Sequence, residues 1–320
     1  MGLNNIVDKI NEQFCLQKWE KRGDRMDAAE LLKGAYDLHV HSGPDVMPRK
    51  LDDLELAERV QTSGMKGYVI KSHYFCTAER AKIIHKVFPK VNVVGALSLN
   101  NSVGGLNPMA VEMAARAGAR LIWMPTVDAT NEQDHLKVHK PEKLPYWAKL
   151  QMEMIAQGKT ASSISILADG QLKSKVIEIL DIIAQYNLVL ATGHLGREET
   201  LALAKAARNR KVKKVVITHP DFPSTLLSKE EQKDLAQMGA YVEHCFTTPQ
   251  TNKTTWEAVY EQVRFVGPGH CVLSTDLGQP QGLYPDEGLK LFAENMLSHG
   301  FSAEEIKTMV VENPTFLLEG

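Results

Sequence analysis

The chain has 320 residues, 43% hydrophobic and 24% charged, an ordinary globular composition with enough length to bury a sizeable core. A formal net charge of −2 offers no basic surface for nucleic acid or an anionic membrane, and no run approaches the ~20 apolar residues of a membrane-spanning helix. Four cysteines, Cys15, Cys76, Cys245 and Cys271, form no C-x-x-C pair, which argues against a disulfide framework or a zinc knuckle and fits a reducing, cytoplasmic location. The first segment mixes charges (Asp8, Lys9, Glu12, Lys18) and lacks the apolar core of a secretory leader.

In chain order, residues 1–33 read as a helical extension that caps the bottom of the fold. Apolar runs of strand length then recur at 36–43, 67–74, 92–100, 120–128, 188–195, 214–220, 240–246 and 271–278. Most are continuous rather than alternating, as in strands buried on both faces of a parallel sheet. Helical patterns lie between them. Segment 51–63 puts Leu51, Leu54, Ala57 and Val60 on one face. Segment 107–117 opens with Asn107 as N-cap and Pro108 at the first helical position, and Gly118 ends it. Segment 228–238 carries the capping box Ser228/Glu231, closed by Gly239. The long fourth connection, 129–187, contains a β-hairpin at 162–173 turning at Asp169-Gly170, then a helix over 174–186. Segments 286–298 and 302–311 supply the last helices. Eight strand–helix units predict an α/β fold closed as a (β/α)8 barrel, and no G-x-G-x-x-G follows the first strand to favour a dinucleotide-binding sheet. One domain is expected over 1–320: the extension 1–35, barrel strands over 36–278 and C-terminal helices over 279–320.

In such a barrel chemistry sits where strands deliver side chains to the C-terminal face. Strand 1 ends with His39 and His41, two apart and so on one face; strand 2 ends with Lys71 and His73. Strand 5 ends with His194, strand 6 with His219, strand 7 with Glu243-His244 and strand 8 with Asp276. A histidine alone in a strand is more often a hydrogen-bonded structural residue than a ligand. Four histidines and an aspartate at the same end of four strands are a different matter: imidazoles with a carboxylate suit Zn, Mn or Fe as the divalent metal.

The order H-x-H, His, His, Asp on strands 1, 5, 6 and 8 resembles the amidohydrolase superfamily over 36–278. The segments D-L-H-V-H-S-G-P-D, A-T-G-H-L and I-T-H-P further resemble the DUF6282 family within it. The resemblance implies a metal-dependent hydrolase. In it, His39 and His41 bind a buried metal with Asp276, and His194 and His219 bind a second metal or His194 completes a single site. Asp276 is also the catalytic residue, accepting a proton from water whose pKa the metal has lowered towards ~7. The attacked centre is an amide, lactone or ester carbonyl; a phosphoryl centre and a metal-binding barrel without catalysis are the alternatives.

Two-metal members usually place a bridging Lys or Glu at the end of strand 4. Here that strand, RLIWMPTVD, offers Asp128 alone. A carbamylated Lys71 could substitute, against its reading as a solvated or substrate-facing lysine, so one or two metals per chain are expected. Glu243 points inward if Val242 and His244 face the helices, as a ligand, proton shuttle or substrate contact. His73 is a ligand, a substrate contact or a hydrogen-bond donor behind the metal, and Asp45 could orient a ligating imidazole. Arg49 and Arg197 follow strands 1 and 5 and could grip an anionic substrate, although a surface charge is the commoner role. The expected partners are a small-molecule substrate and, through the hairpin, a homo-oligomer, with neither nucleic acid nor membrane.

Overall fold

The computed structural model describes residues 28–139, 144–159 and 162–320. The expected extension at 1–33 falls largely outside them; its described end is a single turn, Ala28–Leu31. Eleven strands follow in these residues. They are β1 (Tyr36–Val40), β2 (Gly67–Ile70), β3 (Asn92–Val94), β4 (Ala96–Ser98), β5 (Leu121–Trp123), β6 (Leu167–Ala168), β7 (Gln171–Leu172), β8 (Val189–Ala191), β9 (Lys214–Thr218), β10 (Ala240–Cys245) and β11 (Cys271–Ser274).

All pairs are parallel except the β6–β7 hairpin. β1-β2-β3 form one arc, and β4-β5-β8-β9-β10-β11 the other. β3 and β4 are one barrel strand broken at Gly95, where a Cβ would lie 2.3 Å from the Ala78 Cα. The helix Ala78–Val87 therefore approaches too closely for any other residue, and the ladder is interrupted there. At the other junction the Asp276 amide donates to His39 O and the His41 amide to Leu277 O, each at 2.8 Å, so the first strand meets the last and the eight-stranded barrel closes.

Alternation sorts the side chains. Tyr36, Leu38, Val69, Leu121, Trp123, Val189, Ala191, Val216 and Val272 pack together inside the barrel. Val40, Ile70, Val242 and Leu273 face outward on one side, and Ile122, Leu190 and Ile217 on the other, beneath the helices. Leu317 and Leu318 of the last helix, Asn313–Glu319, join the inner cluster, and Glu319 receives the Tyr36 hydroxyl and the Lys66 ammonium. The described residues at that end of the barrel interior thus include the C-terminal helix.

The local signals act as their chemistry requires. Asn107 caps the helix Pro108–Ala117, and Ser228 with Glu231 forms the capping box of Lys229–Gln237. The hairpin turns through Asp169 and Gly170, both at positive φ (50° and 73°), the geometry of a tight type I′ turn. One expectation is corrected. Leu54 does not belong to the buried stripe: the helix Asp53–Thr62 is capped by Asp52, so Leu56, Ala57 and Val60 face the core while Leu54 is 46% exposed. Among the described residues, no helix is long and apolar enough to cross a membrane.

Candidate metal centre

β1 aims both its histidines at one point. Its register against β2 shifts between Asp37 and Val40, an irregularity of the kind that re-aims side chains next to functional sites. Asp37 pins this segment from behind. Its carboxylate accepts from the His39 amide (3.1 Å), the Thr275 amide (3.0 Å) and the Thr275 hydroxyl (2.5 Å), tying β1 to the exit of β11. Complete burial pushes the Asp37 pKa up to about 7 despite those donors.

The buried His39 ring is held at both nitrogens. Nδ1 lies 3.3 Å from the Glu243 carboxylate and 3.6 Å from Cys245 Sγ; Nε2 lies 3.1 Å from Asp276 Oδ1 and 2.8 Å from Lys71 Nζ. His41 Nδ1 is 3.0 Å from the Lys71 carbonyl, and its Nε2 is 3.1 Å from the same Asp276 Oδ1. Nδ1 of each ring faces an acceptor, Glu243 in one and the Lys71 carbonyl in the other, so in the Nδ1–H tautomer a cation bound at Asp276 would receive both Nε2 lone pairs. Asp276 has φ +54° and His219 φ +26°, sparsely populated conformations for non-glycine residues that cluster at functional sites. Gly278 follows with φ +129°, where a Cβ would fall 1.8 Å from the His41 carbonyl oxygen, so no side chain fits between β11 and the end of β1.

His73, His194 and His219 complete an arc of rings. Centroids are 5.0 Å apart for His41–His73, 6.1 Å for His73–His194, 5.0 Å for His194–His219 and 5.9 Å for His219–His39. His73 Nδ1 bonds the Thr126 hydroxyl at 2.9 Å. The Nδ1 atoms of His194 and His219 are buried with no hydrogen-bond partner among the described residues. His194 Nδ1 is 3.6 Å from the Glu132 carboxylate, beyond hydrogen-bond reach but close enough for charge to act.

Electrostatics keeps most of these imidazoles neutral. Burial holds His41, His73 and His219 well below the usual histidine pKa, helped by Arg49, Lys71 and His194 respectively. Burial lowers His194 too, partly offset by Glu132. His39 is the exception: burial and Lys71 disfavour its cation, but Asp276 and Glu243 outweigh them and raise its pKa. Burial alone would raise Asp276; His39 and His41 overcome it and hold the carboxylate well below its ordinary range. Burial lowers the Lys71 pKa.

This donor set fits a divalent cation. His39, His41 and Asp276 place one ligand atom each within 4.8 Å of one another, the neutral-imidazole and carboxylate chemistry of Zn and related metals. His39, Glu243 and Cys245 also place one ligand atom each within 4.8 Å of one another. That set would use His39 Nδ1, the nitrogen already facing Glu243, so the two sets place Glu243 either behind the imidazole or beside a metal.

Of the expected site residues, the structure brings together His39, His41, Lys71, His73, His194, His219, Glu243 and Asp276. Lys71 is 1% exposed, so its solvated reading is excluded; its ammonium sits 5.1 Å over the Trp123 ring. Glu243 points inward while Val242 and His244 face the helices, His244 Nδ1 lying 3.7 Å from Asp221. Arg197 stands apart: its side chain is 63% exposed and ion-paired with Glu231. Arg49 is locked to Asp45 (2.6 Å), and Asp45 reaches His41 only through that guanidinium, 3.1 Å from His41 Nδ1. Asp128 brings no carboxylate to the centre, because it accepts from the Asn101 amide and the Gln151 side chain.

The acid supplied by the fourth connection is Glu132 instead, on the helix Thr130–Val138, a residue the sequence reading passed over. No strand period marks it. Cys245 was also passed over, although a two-residue step from Glu243 along β10 would have found it.

The barrel fold is shared with solved structures of several hydrolases. An amidohydrolase from Pseudomonas aeruginosa superposes with TM-score 0.58 at 13% identity, covering 92% of this chain and 98% of that one. The lactonase Lmo2620 from Listeria monocytogenes gives 0.53 at 13% identity, covering 90% and 95%. The organophosphorus hydrolase from Deinococcus radiodurans gives 0.54 at 13% identity, covering 93% and 98%. No curated protein matches the sequence. The model of the family described as "Family of unknown function (DUF6282)" matches residues 34–243, more than half of the chain, and the protein belongs to that family.

Proposed function

We propose that this protein is a metal-dependent hydrolase that directs water at an amide, lactone or ester carbonyl of a small-molecule substrate. The observation that carries this reading is the convergence of the His39, His41 and Asp276 ligand atoms within 4.8 Å. A bound divalent cation, with Zn favoured by the nitrogen-rich donors and Mn or Fe as the alternatives, would supply Lewis acidity and lower the pKa of water. His39, His41 and Asp276 would hold it; His194 and His219 would hold a second ion or complete the first site.

The remaining work falls to the chain. Asp276 stays ionised, with the Thr247 hydroxyl donating to Oδ2 (3.3 Å), so it can only accept a proton. It takes the proton that water loses on attack. Glu243 and the Lys71 carbonyl fix the tautomers of His39 and His41. The buried Lys71 ammonium faces the same point and favours negative charge developing on the substrate oxygen.

Similar folds belong to an amidohydrolase, a lactonase and an organophosphorus hydrolase, so the barrel leaves the attacked atom open. The test is a panel of N-acyl amides, lactones, esters and phosphate esters. Carbonyl turnover that a chelator removes and Zn or Mn restores is the expected result. Turnover of phosphate esters alone would move the reading to a phosphoesterase, and no turnover by fully metallated protein would leave a metal-binding barrel.

A further inference from the structure

A cation lies close to the histidine arc with no counter-ion among the described residues. After β10 the chain makes the short helix Thr247–Gln250, whose first residue touches Asp276 through its hydroxyl. The chain then reverses: Asn252 adopts φ +56°, its amide bonding Pro249 O, and the Lys253 amide bonds Thr248 O, both at 3.0 Å. The turn delivers the Lys253 ammonium 4.2 Å from the centre of the Phe222 ring. The same ring packs 4.8 Å from His219 and 6.1 Å from His194. Lys253 is therefore one aromatic ring away from His194 and His219, each of which carries an orphaned nitrogen.

Lys253 is an exposed residue, yet its ammonium is desolvated enough to lower its pKa, and the charges opposing that shift are those of Asp276 and Glu132. Among the described residues its side chain makes neither an ion pair nor a hydrogen bond. Arg49 and Arg197, in contrast, are bound to Asp45 and to Glu231. An ammonium held over an aromatic face and by no anion among the described residues, beside an active centre, is free to pair with a bound anion.

We propose that Lys253 binds a carboxylate carried by the substrate at a position away from the attacked bond. The proposal rests on the hydrolase reading of the centre and adds the substrate class: amides, lactones or esters of molecules that keep a free carboxylate. A single ammonium matches a single charge, whereas Asp276 and Glu132 close by would repel a phosphate dianion, which proteins usually grip with guanidinium forks or clustered amides. The Phe222 ring, between Lys253 and the histidines, is an apolar face for the segment between the two ends of such a substrate.

The test reads binding rather than turnover. Zn-loaded protein is titrated calorimetrically with malonate, succinate, glutarate and adipate, and with the monoamide of each, in which one carboxylate becomes neutral. At the best-fitting length, wild type is expected to prefer the diacid by roughly tenfold, the scale of one charge-assisted hydrogen bond. Lys253→Met should abolish the preference while the monoamide binds as before, and Lys253→Arg should keep most of it. A preference that survives in Lys253→Met overturns the proposal, and so does a wild type that prefers no diacid at any length. The hydrolase reading fails separately: a diacid preference without turnover on any panel would leave Lys253 its role and remove hydrolysis, and turnover without the preference would do the reverse.

Discussion

The two halves of the centre are built differently. On the β1–β2–β11 side, His39 and His41 are partnered at every ring nitrogen, and Asp37 and Thr275 brace the backbone behind them. On the β8–β9 side, His194 and His219 keep orphaned Nδ1 atoms and are placed by ring packing against Phe222 and each other. The first half is a hydrogen-bonded unit that the fold itself completes. The second is a set of neutral donors held in position. Substitutions in the first half should therefore disturb both fold and chemistry, and those in the second mainly chemistry.

The largest expected effect is at Asp276. Asp276→Asn removes the proton acceptor and should lower kcat by about 10²–10⁴-fold on whichever substrate the panel identifies, with little change in KM. A loss below tenfold in steady-state kinetics would break the assignment. Next come the two carboxylates behind the histidines. Glu243→Gln should weaken metal affinity by about 10–100-fold, the range for a group that orients a ligating imidazole. Glu132→Gln, 3.6 Å from His194, should fall at or below the lower end of that range. Competition with a chromophoric chelator measures both, and a larger loss for Glu132→Gln would invert the comparison. Asp37→Ala strands the buried Thr275 donors and should cost about 1–3 kcal/mol in urea unfolding. The smallest effect is at Arg197. Its exposed pair with Glu231 predicts about 0–1 kcal/mol for Arg197→Ala, with metal content and kcat/KM unchanged; a marked rise in KM would bring that arginine back to the substrate.

Much of this architecture was legible because strand ends carry a strong pattern. His39, His41, His194, His219 and Asp276 stand at the ends of four apolar runs, and period-two alternation places Glu243 inside once Val242 faces the helices. Caps at Asn107 and Ser228 were equally plain, since they depend on neighbours in sequence. What depends on distant contact was hidden. The break at Gly95 arises from the approach of Ala78, and the inward Leu56 from a helix starting at Asp53 rather than Leu51. Glu132 and Lys253 lie on a helix and a turn, where no strand period marks the residues that fold back over the barrel mouth. Asp128 looked available and is spent on the Asn101 amide and the Gln151 side chain.

The most direct measurement of the central claim is metal content per chain, by inductively coupled plasma mass spectrometry, on protein purified without chelator or nickel affinity resin. Wild type is compared with His39→Ala and His219→Ala. The account predicts at least one divalent metal per chain in wild type, lost in His39→Ala, with His219→Ala losing only a second ion or a fraction of the first. No metal in wild type, even after incubation with Zn and Mn, would contradict it.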